Sequence, residues 1–291
     1  MNQKKIYPLY FLAIPAAIYG VLYFLPSLFS FYYAMTDWNS FSDQIHFVGF
    51  DNFIQIFEDG NGYLRSLKNT LLFAFATTVL KNVFGLLLAL LLNTAMKTTS
   101  ILRTVFYLPV TLSALVVGLM FSSVFHPEYG LINQVLSGIG LESLTRAWLV
   151  DKSTAMFSVI LVEVWKSTGF NMVIYLAGLQ TVPKMYYEAA TIDGAKGWQI
   201  FSHITLPLIM PSISVNLILN LINGFKVFDL VFVLTKGGPG NLTQVLNTAV
   251  FQEFSAGRYG VSTAFGVILL LITAVVALST LKILSSKSEV D

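Results

Sequence analysis

Six long apolar runs separated by polar stretches set the pattern of this chain. They lie near residues 9–34, 69–93, 104–125, 155–178, 206–228 and 261–283. About 20 apolar residues cross the hydrocarbon of a bilayer as a helix. Each run therefore predicts one transmembrane helix, and together they predict an all-α, polytopic membrane bundle, one transmembrane domain over residues 1–291. Pro15 and Pro26 fall inside the first run, where neighbouring helices satisfy the carbonyls that proline leaves free. Between the fourth and fifth runs lies a polar island, 179–205. Thr181 and Pro183 mark a helix start, and Ala189 and Ala190 leave little side chain on its surface. Asp193-Gly194 mark a stop, because glycine accepts the left-handed conformation that ends helices. A second short amphipathic piece follows, with Phe201 and Ile204 on one side, and Leu206-Pro207 lead back into an apolar run.

Three other polar stretches, 36–68, 126–154 and 229–260, carry shorter signals. Phe50, Phe53, Ile54 and Phe57 follow helical spacing and predict an interfacial helix. Pro127-Glu128-Tyr129-Gly130 followed by Leu131 to Leu136 predicts a turn and a short helix. Thr235 to Gly240 predicts a turn, and Val245 to Phe254 a second amphipathic piece. No separate soluble domain, low-complexity tract or internal repeat is evident.

Composition narrows the classes. The chain is 55% hydrophobic and 11% charged, whereas a soluble domain carries about a quarter charged residues. With no cysteine there is no disulfide framework and no thiolate metal site. His46, His126 and His203 lie far apart, so no metal site is expected. Gly237-Gly238-Pro239-Gly240 lacks the lysine and hydroxyl residue of a phosphate-binding loop, so this chain is expected to bind no cofactor, and any ATP sits on another subunit. A net charge of +2 gives no argument for nucleic acid. Lys4-Lys5 before an apolar run imitates a signal peptide. The run extends to about Ala34, too long for one, and no small-residue cleavage site follows.

Six spans put both termini on one side. Lys4, Lys5, Lys97, Arg103, Lys184, Lys196, Lys282 and Lys287 share that side. Arg65, Lys68, Arg146, Lys152, Lys236 and Arg258 take the other, across much longer loops. The positive-inside rule then places the termini and the 179–205 loop in the cytoplasm. Asp37, Asp43, Asp51, Glu58 and Asp59 all fall outside.

Polar residues inside the runs are the candidate chemistry. Glu163, Lys166, Ser167 and Phe170 share one face of the fourth helix, and Asn216, Asn220 and Asn223 one face of the fifth. Such groups are costly in hydrocarbon and face the bundle interior or a cavity. Amides and carboxylates bond sugar hydroxyls in both directions, and an aromatic ring covers C–H surface, so the two stripes suit a sugar pathway. They equally suit interhelical glue, with Asn side chains bonding across the bundle and Glu163 and Lys166 neutralising one another. Lys81 and Asn82 read as internal packing partners, and Lys226 as a snorkelling residue near a helix end.

The polar island also fits a longer pattern: E-A-A, three residues, G, nine residues, I, one residue, L-P, with Glu188, Ala189, Ala190, Gly194, Ile204, Leu206 and Pro207 in place. This resembles the cytoplasmic loop of permease subunits of ATP-binding-cassette importers. Gly49-Phe50-Asp51-Asn52-Phe53, the Pro127-to-Asn133 loop and Gly237-Gly238-Pro239 are similar to carbohydrate-importing permeases of the maltose type. The sequence lacks that subunit's large inserted outer domain and extra N-terminal helices and matches the shorter six-span form. The resemblance implies a coupling helix at Glu188, Ala189, Ala190, Asp193 and Gly194 that docks on an ATPase subunit. It also implies a second permease, two ATP-binding subunits carrying ATP and magnesium, an extracellular or periplasmic substrate-binding protein, and a place in the bacterial plasma (inner) membrane lipid. In that family the membrane sugar pocket uses the helices that carry Glu163, Lys166, Ser167 and Phe170 and Asn216, Asn220 and Asn223. The expected function is half of a translocation pathway for a sugar or oligosaccharide, with no catalysis by this chain.

Rival readings stay open. The same architecture serves glycerol phosphodiesters or glycosylated amino compounds. An ion-coupled secondary transporter would need coupling-ion carboxylates and often twin repeats, but Glu163 is the one carboxylate within the six runs. An intramembrane enzyme would need catalytic groups gathered at one depth, and the sequence offers no such set.

Overall fold

The structure is a computed structural model that describes residues 10–58, 62–94 and 97–288. Lys4-Lys5, the start of the first run at residue 9, and Asp59 lie outside the described residues. Fifteen α-helical segments follow one another in chain order: α1 (Tyr10–Tyr19), α2 (Leu25–Tyr33), α3 (Asp51–Phe57), α4 (Tyr63–Leu92), α5 (Thr99–Thr111), α6 (Ala114–Val124), α7 (Leu131–Gly138), α8 (Ala155–Thr181), α9 (Lys184–Ile192), α10 (Gly197–Ile200), α11 (Leu206–Leu208), α12 (Met210–Phe225), α13 (Asp229–Thr235), α14 (Leu246–Ser255) and α15 (Tyr259–Ser288). One turn of wider π-helix, Gly20–Phe24, joins α1 to α2, and another, Phe201–Thr205, joins α10 to α11. Among the described residues there is no strand beyond the bridge between Thr36 and Phe47.

Four helical stretches are long and apolar enough to cross a bilayer: Phe11–Tyr33, Tyr63–Leu92, Ala155–Thr181 and Tyr259–Ile283. These match the first, second, fourth and sixth apolar runs. The third and fifth runs each form two helices instead of the single helix expected of them. Thr99–Thr111 and Ala114–Val124 meet at 97°, and Gly197–Leu208 and Met210–Phe225 meet at 68°. At the first break Leu112 and Ser113 are extended, and Ser113 Oγ accepts the N–H of Val116, which starts α6 afresh. At the second, Ile209 leaves the helical conformation at φ −93° and ψ 8°, and Pro211 sits in the first turn of α12, where its missing donor costs nothing.

The chain forms two compact units. In the first, residues 10–64 and 249–270, Asn52 Nδ2 donates to the carbonyls of Ala34 and Thr36, at 2.9 and 2.8 Å. Buried Glu253 accepts from Tyr63 Oη at 3.0 Å and from Arg258 Nε, and the bond it makes with Arg258 holds that guanidinium above its ordinary pKa. Of the predicted stripe, Phe50 precedes α3 and is exposed, as are Ile54 and Phe57, whereas Phe53 is half-buried; Asn52 and Ile56 face inward. In the loop before it, the backbone N–H of His46 holds Asp37 below the ordinary carboxylate range.

In the second unit, residues 65–248 and onward from 271, one core cluster gathers Phe73, Val117, Phe125, Val159, Val162 and Val231, and another Ala89, Met172, Tyr175, Leu179 and Ile209. Close approach of backbones sets this packing. A Cβ on Gly85 would stand 2.6 Å from that of Asn171, one on Gly224 would stand 2.8 Å from Ala74 Cα, and one on Gly169 would collide with the carbonyl of Phe106. Small residues at such crossings let membrane helices pack tightly where lipid supplies no hydrophobic drive. The predicted Thr235-to-Gly240 turn forms, with Lys236, Gly237 and Gly240 at positive φ. The strand of chain after it is held on α4, where Asn69 Nδ2 donates to the carbonyls of Leu242 and Gln244 and Thr70 Oγ1 accepts from the N–H of Leu246.

Candidate functional site

Two groups of residues stand out, a projecting loop and a polar helix face. The loop begins where α8 stops. Thr181 is the last residue of α8, and Pro183 takes the position before the first turn of α9, one residue earlier than a proline inside that turn. The helix α9 ends in a Schellman motif: the N–H of Gly194 bonds to Thr191 O at 3.1 Å and that of Ala195 to Ala190 O at 2.9 Å. Gly194 has φ +75°, the left-handed conformation expected of it. Glu188, Ala189, Asp193 and Gly194 are exposed, whereas Ala190 is buried beneath them. Tyr187 Oη lies 3.3 Å from Thr205 Oγ1 and ties α9 to the returning segment.

The loop also exposes Met185, Tyr186, Ile192 and Trp198, with Ile192 86% accessible. Sequence reasoning passed over these four. Their signal was available: large apolar side chains in a loop otherwise polar, which water alone does not favour.

The second group is on α8. Glu163 Oε1 accepts from Lys81 Nζ of α4 at 3.2 Å and from Ser167 Oγ at 3.0 Å. The mutual neutralisation of Glu163 and Lys166, the alternative to a pathway role, does not form. Lys81, almost completely buried, is the partner of Glu163, because α4 packs against α8 and delivers the ammonium from the core side. Lys166 has no ion-pair partner among the described residues. Lys166 and Ser167 are half-buried, and Phe170 is exposed. The four residues thus stay on one accessible face.

The asparagine stripe of α12 divides. Asn216 and Asn220 are buried against Asn171 of α8: Asn220 Nδ2 reaches Asn171 Oδ1 at 2.6 Å, and Asn216 Nδ2 reaches Asn171 O at 3.3 Å. Asn223 is exposed. Asn82 and Tyr175 extend this buried polar layer with a hydrogen bond from Tyr175 Oη to Asn82 Oδ1. Asn171 was missed in the sequence, although it stands four residues beyond Ser167 and continues the Glu163–Ser167 stripe at helical spacing. Gly178 meets Ser212 and Asn171 meets Asn216 and Asn220, so α8 and α12 run antiparallel. At equal rise, Lys166 then lies at the depth of Asn223, and Phe170 at that of Leu219.

Comparison with known proteins agrees with this architecture. The profile of the binding-protein-dependent transport system inner membrane component matches residues 81–287. The chain is 37% identical to the "Probable ABC transporter permease protein YurN" of Bacillus subtilis, covering 99% of each. It is 34% identical to the multiple sugar-binding transport system permease protein MsmF of Streptococcus mutans, over 96% of this chain and 95% of that one. Among solved structures it is similar to a chain of a bacterial ABC transporter involved in the import of the acidic polysaccharide alginate, with a TM-score of 0.83 and 26% identity over 96% of this chain and 95% of that one. The same fold recurs, with a TM-score of 0.80, 26% identity and 94% and 92% coverage, in a bacterial alginate ABC transporter in complex with an alginate pentasaccharide-bound periplasmic protein. The chain belongs to the family of binding-protein-dependent transport system inner membrane components.

Proposed function

We propose that this chain is the permease subunit of an ATP-binding-cassette importer, forming half of a translocation pathway for a sugar or oligosaccharide. The observation that carries the reading is α9, a short helix closed by Gly194 that presents Glu188, Asp193 and the apolar Met185, Tyr186 and Ile192 outward. An exposed apolar patch rimmed by carboxylates suits a protein groove. An ATPase subunit is its occupant, so chemistry stays on the partners, which hold ATP and magnesium, and this chain performs none. A carbohydrate substrate is supported by the names of relatives, among them the multiple sugar-binding permease of Streptococcus mutans and the diacetylchitobiose uptake permease of Streptomyces coelicolor.

The full assembly then has a second, related permease, two ATPase subunits and an external binding protein that delivers the solute. It sits in the bacterial inner membrane with six spans of one domain, the bent pairs counting as one span each, and with both termini cytoplasmic. Glu163, Lys166, Ser167, Phe170 and Asn223 keep accessible side chains and line the pathway. Asn216 and Asn220 hold α12 to α8 behind it. Docking of ATP-bound subunits moves α9, and α8 and α12, which flank it in the chain, shift between two packings.

The test is binding-protein-dependent ATP hydrolysis by the reconstituted complex over a panel of sugars and other polar solutes. Stimulation by a sugar is expected. Stimulation by a glycerol phosphodiester or a glycosylated amino compound, with every plain sugar silent, overturns the substrate class and keeps the importer.

A further inference from the structure

The charges on the accessible face of α8 do not cancel. Glu163 is held by Lys81, which reaches it from the core and is 1% exposed. That pair is net neutral, and its dipolar field falls off faster with distance than that of a unit charge. Lys166, one turn further along the same face, has no ion-pair partner among the described residues. It is eleven residues from Ala155 at the start of α8, about 16 Å along the axis, beyond the reach of a snorkelling side chain to that end. The facing helix α12 carries no titratable residue, and beyond its end exposed Lys226 and Asp229 offset one another, which leaves the Lys166 charge uncancelled. An ionisable group this deep in a membrane protein marks a pathway and calls for a partner.

We infer that this chain's half of the pathway presents net positive charge and selects sugars bearing an anionic group such as a carboxylate, with Lys166 the specificity-determining residue and Lys81 the positioning residue that cancels Glu163. This rests on the reading of the α8 face as pathway lining. The physical argument is one of sign. Were Glu163 unpaired, it would offset Lys166, and the face would be neutral and indifferent to substrate charge. With Lys81 in place, a carboxylate moving past Lys166 gains attraction that a neutral sugar lacks, and a cationic solute is repelled.

The absence of cysteine from the chain gives a direct measurement. Phe170→Cys places one thiol a single helical turn from Lys166. In the assembled importer, its rates of modification by an anionic sulfonatoethyl and a cationic trimethylammonioethyl methanethiosulfonate are compared, each normalised to a free small thiol. Intact mass of this subunit gives the readout, so partner cysteines do not interfere. A unit charge about 7 Å away in aqueous surroundings predicts a five- to tenfold preference for the anion, order of magnitude, abolished by adding Lys166→Gln. Equal rates, or a preference that survives Lys166→Gln, overturn the inference and leave the pathway reading standing. A thiol that neither reagent modifies, with or without ATP, removes the pathway reading itself.

The substrate arm uses uptake of uronate oligosaccharides and of their carboxyl-reduced, neutral counterparts by the complete importer. The acidic members should be preferred, and Lys166→Gln should cut that preference about three- to fivefold. Preference for the neutral counterparts overturns the proposed class. Uptake of neither set, with the anion preference at the Phe170→Cys thiol intact, overturns carbohydrate as the cargo.

Discussion

Asn220 and Asn223 sit one turn apart on α12 and meet different surroundings. Asn220 is buried and donates to Asn171 Oδ1, whereas Asn223 is exposed. Removing Asn220 strips a buried acceptor of its donor, a loss of about 1–3 kcal/mol. Asn220→Ala should therefore lower the thermal midpoint and the yield of assembled complex and leave the choice among sugars unchanged. Asn223→Ala should assemble normally and weaken or alter uptake selectivity. The reverse pattern in paired assembly and uptake assays would exchange the two roles. Lys81 offers a second contrast. Breaking a buried ion pair by removing one partner costs about 3–5 kcal/mol, while replacing both partners by apolar residues is often neutral. Lys81→Met should lose most of the folded subunit, and Lys81→Met with Glu163→Leu should recover it. If the double variant is no more stable than the single, by thermal midpoint in detergent, the pair is not what holds α4 to α8 there. In the sequence these residues were recognisable as polar groups in apolar runs, which fixed their importance. Their partners were not recognisable, because Lys81 and Glu163 meet across helices 82 positions apart and helical spacing reports only neighbours on one helix.

At the scale of single elements, α9 is where sequence and structure agree most closely. Asp193-Gly194 ends the helix with Gly194 at φ +75°, a value that costs an L-residue about 1–2 kcal/mol. Space is not the constraint, since a Cβ at Gly194 would meet nothing within 4 Å. Gly194→Ala should therefore reduce transport modestly. Gly194→Pro also removes the N–H that bonds Thr191 O and forces φ negative, so it should abolish uptake. Glu188→Lys reverses an exposed charge without touching the fold, so it should abolish transport with the subunit still in the membrane. Normal transport and ATPase assembly by both Gly194→Pro and Glu188→Lys would refute the coupling role. The bent pairs were the least legible elements. Hydropathy averages over a run and does not register a turn inside it, so 104–125 and 206–228 each read as one helix. The local signals were present: Pro109 followed by the capping Ser113 in one run, and Pro207 and Pro211 in the other. They were outweighed because proline is common within membrane helices. The long runs were legible for the opposite reason, since a helix is the one local structure that satisfies its own backbone in lipid.

For the whole molecule, the open quantity is how many times the chain crosses the bilayer, and the two bent pairs decide it. The described helices allow four crossings, or up to six if each bent pair is one span. Both even counts return the termini to one side, so a reporter at the termini does not separate them. The loops between do. If α5 and α6 together cross, Thr98 and Tyr129 lie on opposite faces of the membrane. The 184–196 loop then shares the side of Lys97 and Arg103 and of Lys282. If the pair turns back within the bilayer, Thr98 and Tyr129 share a face, and α8 carries Lys184, Lys196 and the whole of α9 to the outside, against the positive-inside rule and out of reach of any cytoplasmic ATPase. Single thiols in this cysteine-free chain resolve the alternatives with a membrane-impermeant maleimide on intact cells. Tyr129→Cys and Gly240→Cys should label from outside. Thr98→Cys and Lys196→Cys should label only after permeabilisation. Labelling of Lys196→Cys from outside would reverse the orientation or reduce the crossings, and in either case would remove the coupling helix from the compartment where ATP is hydrolysed.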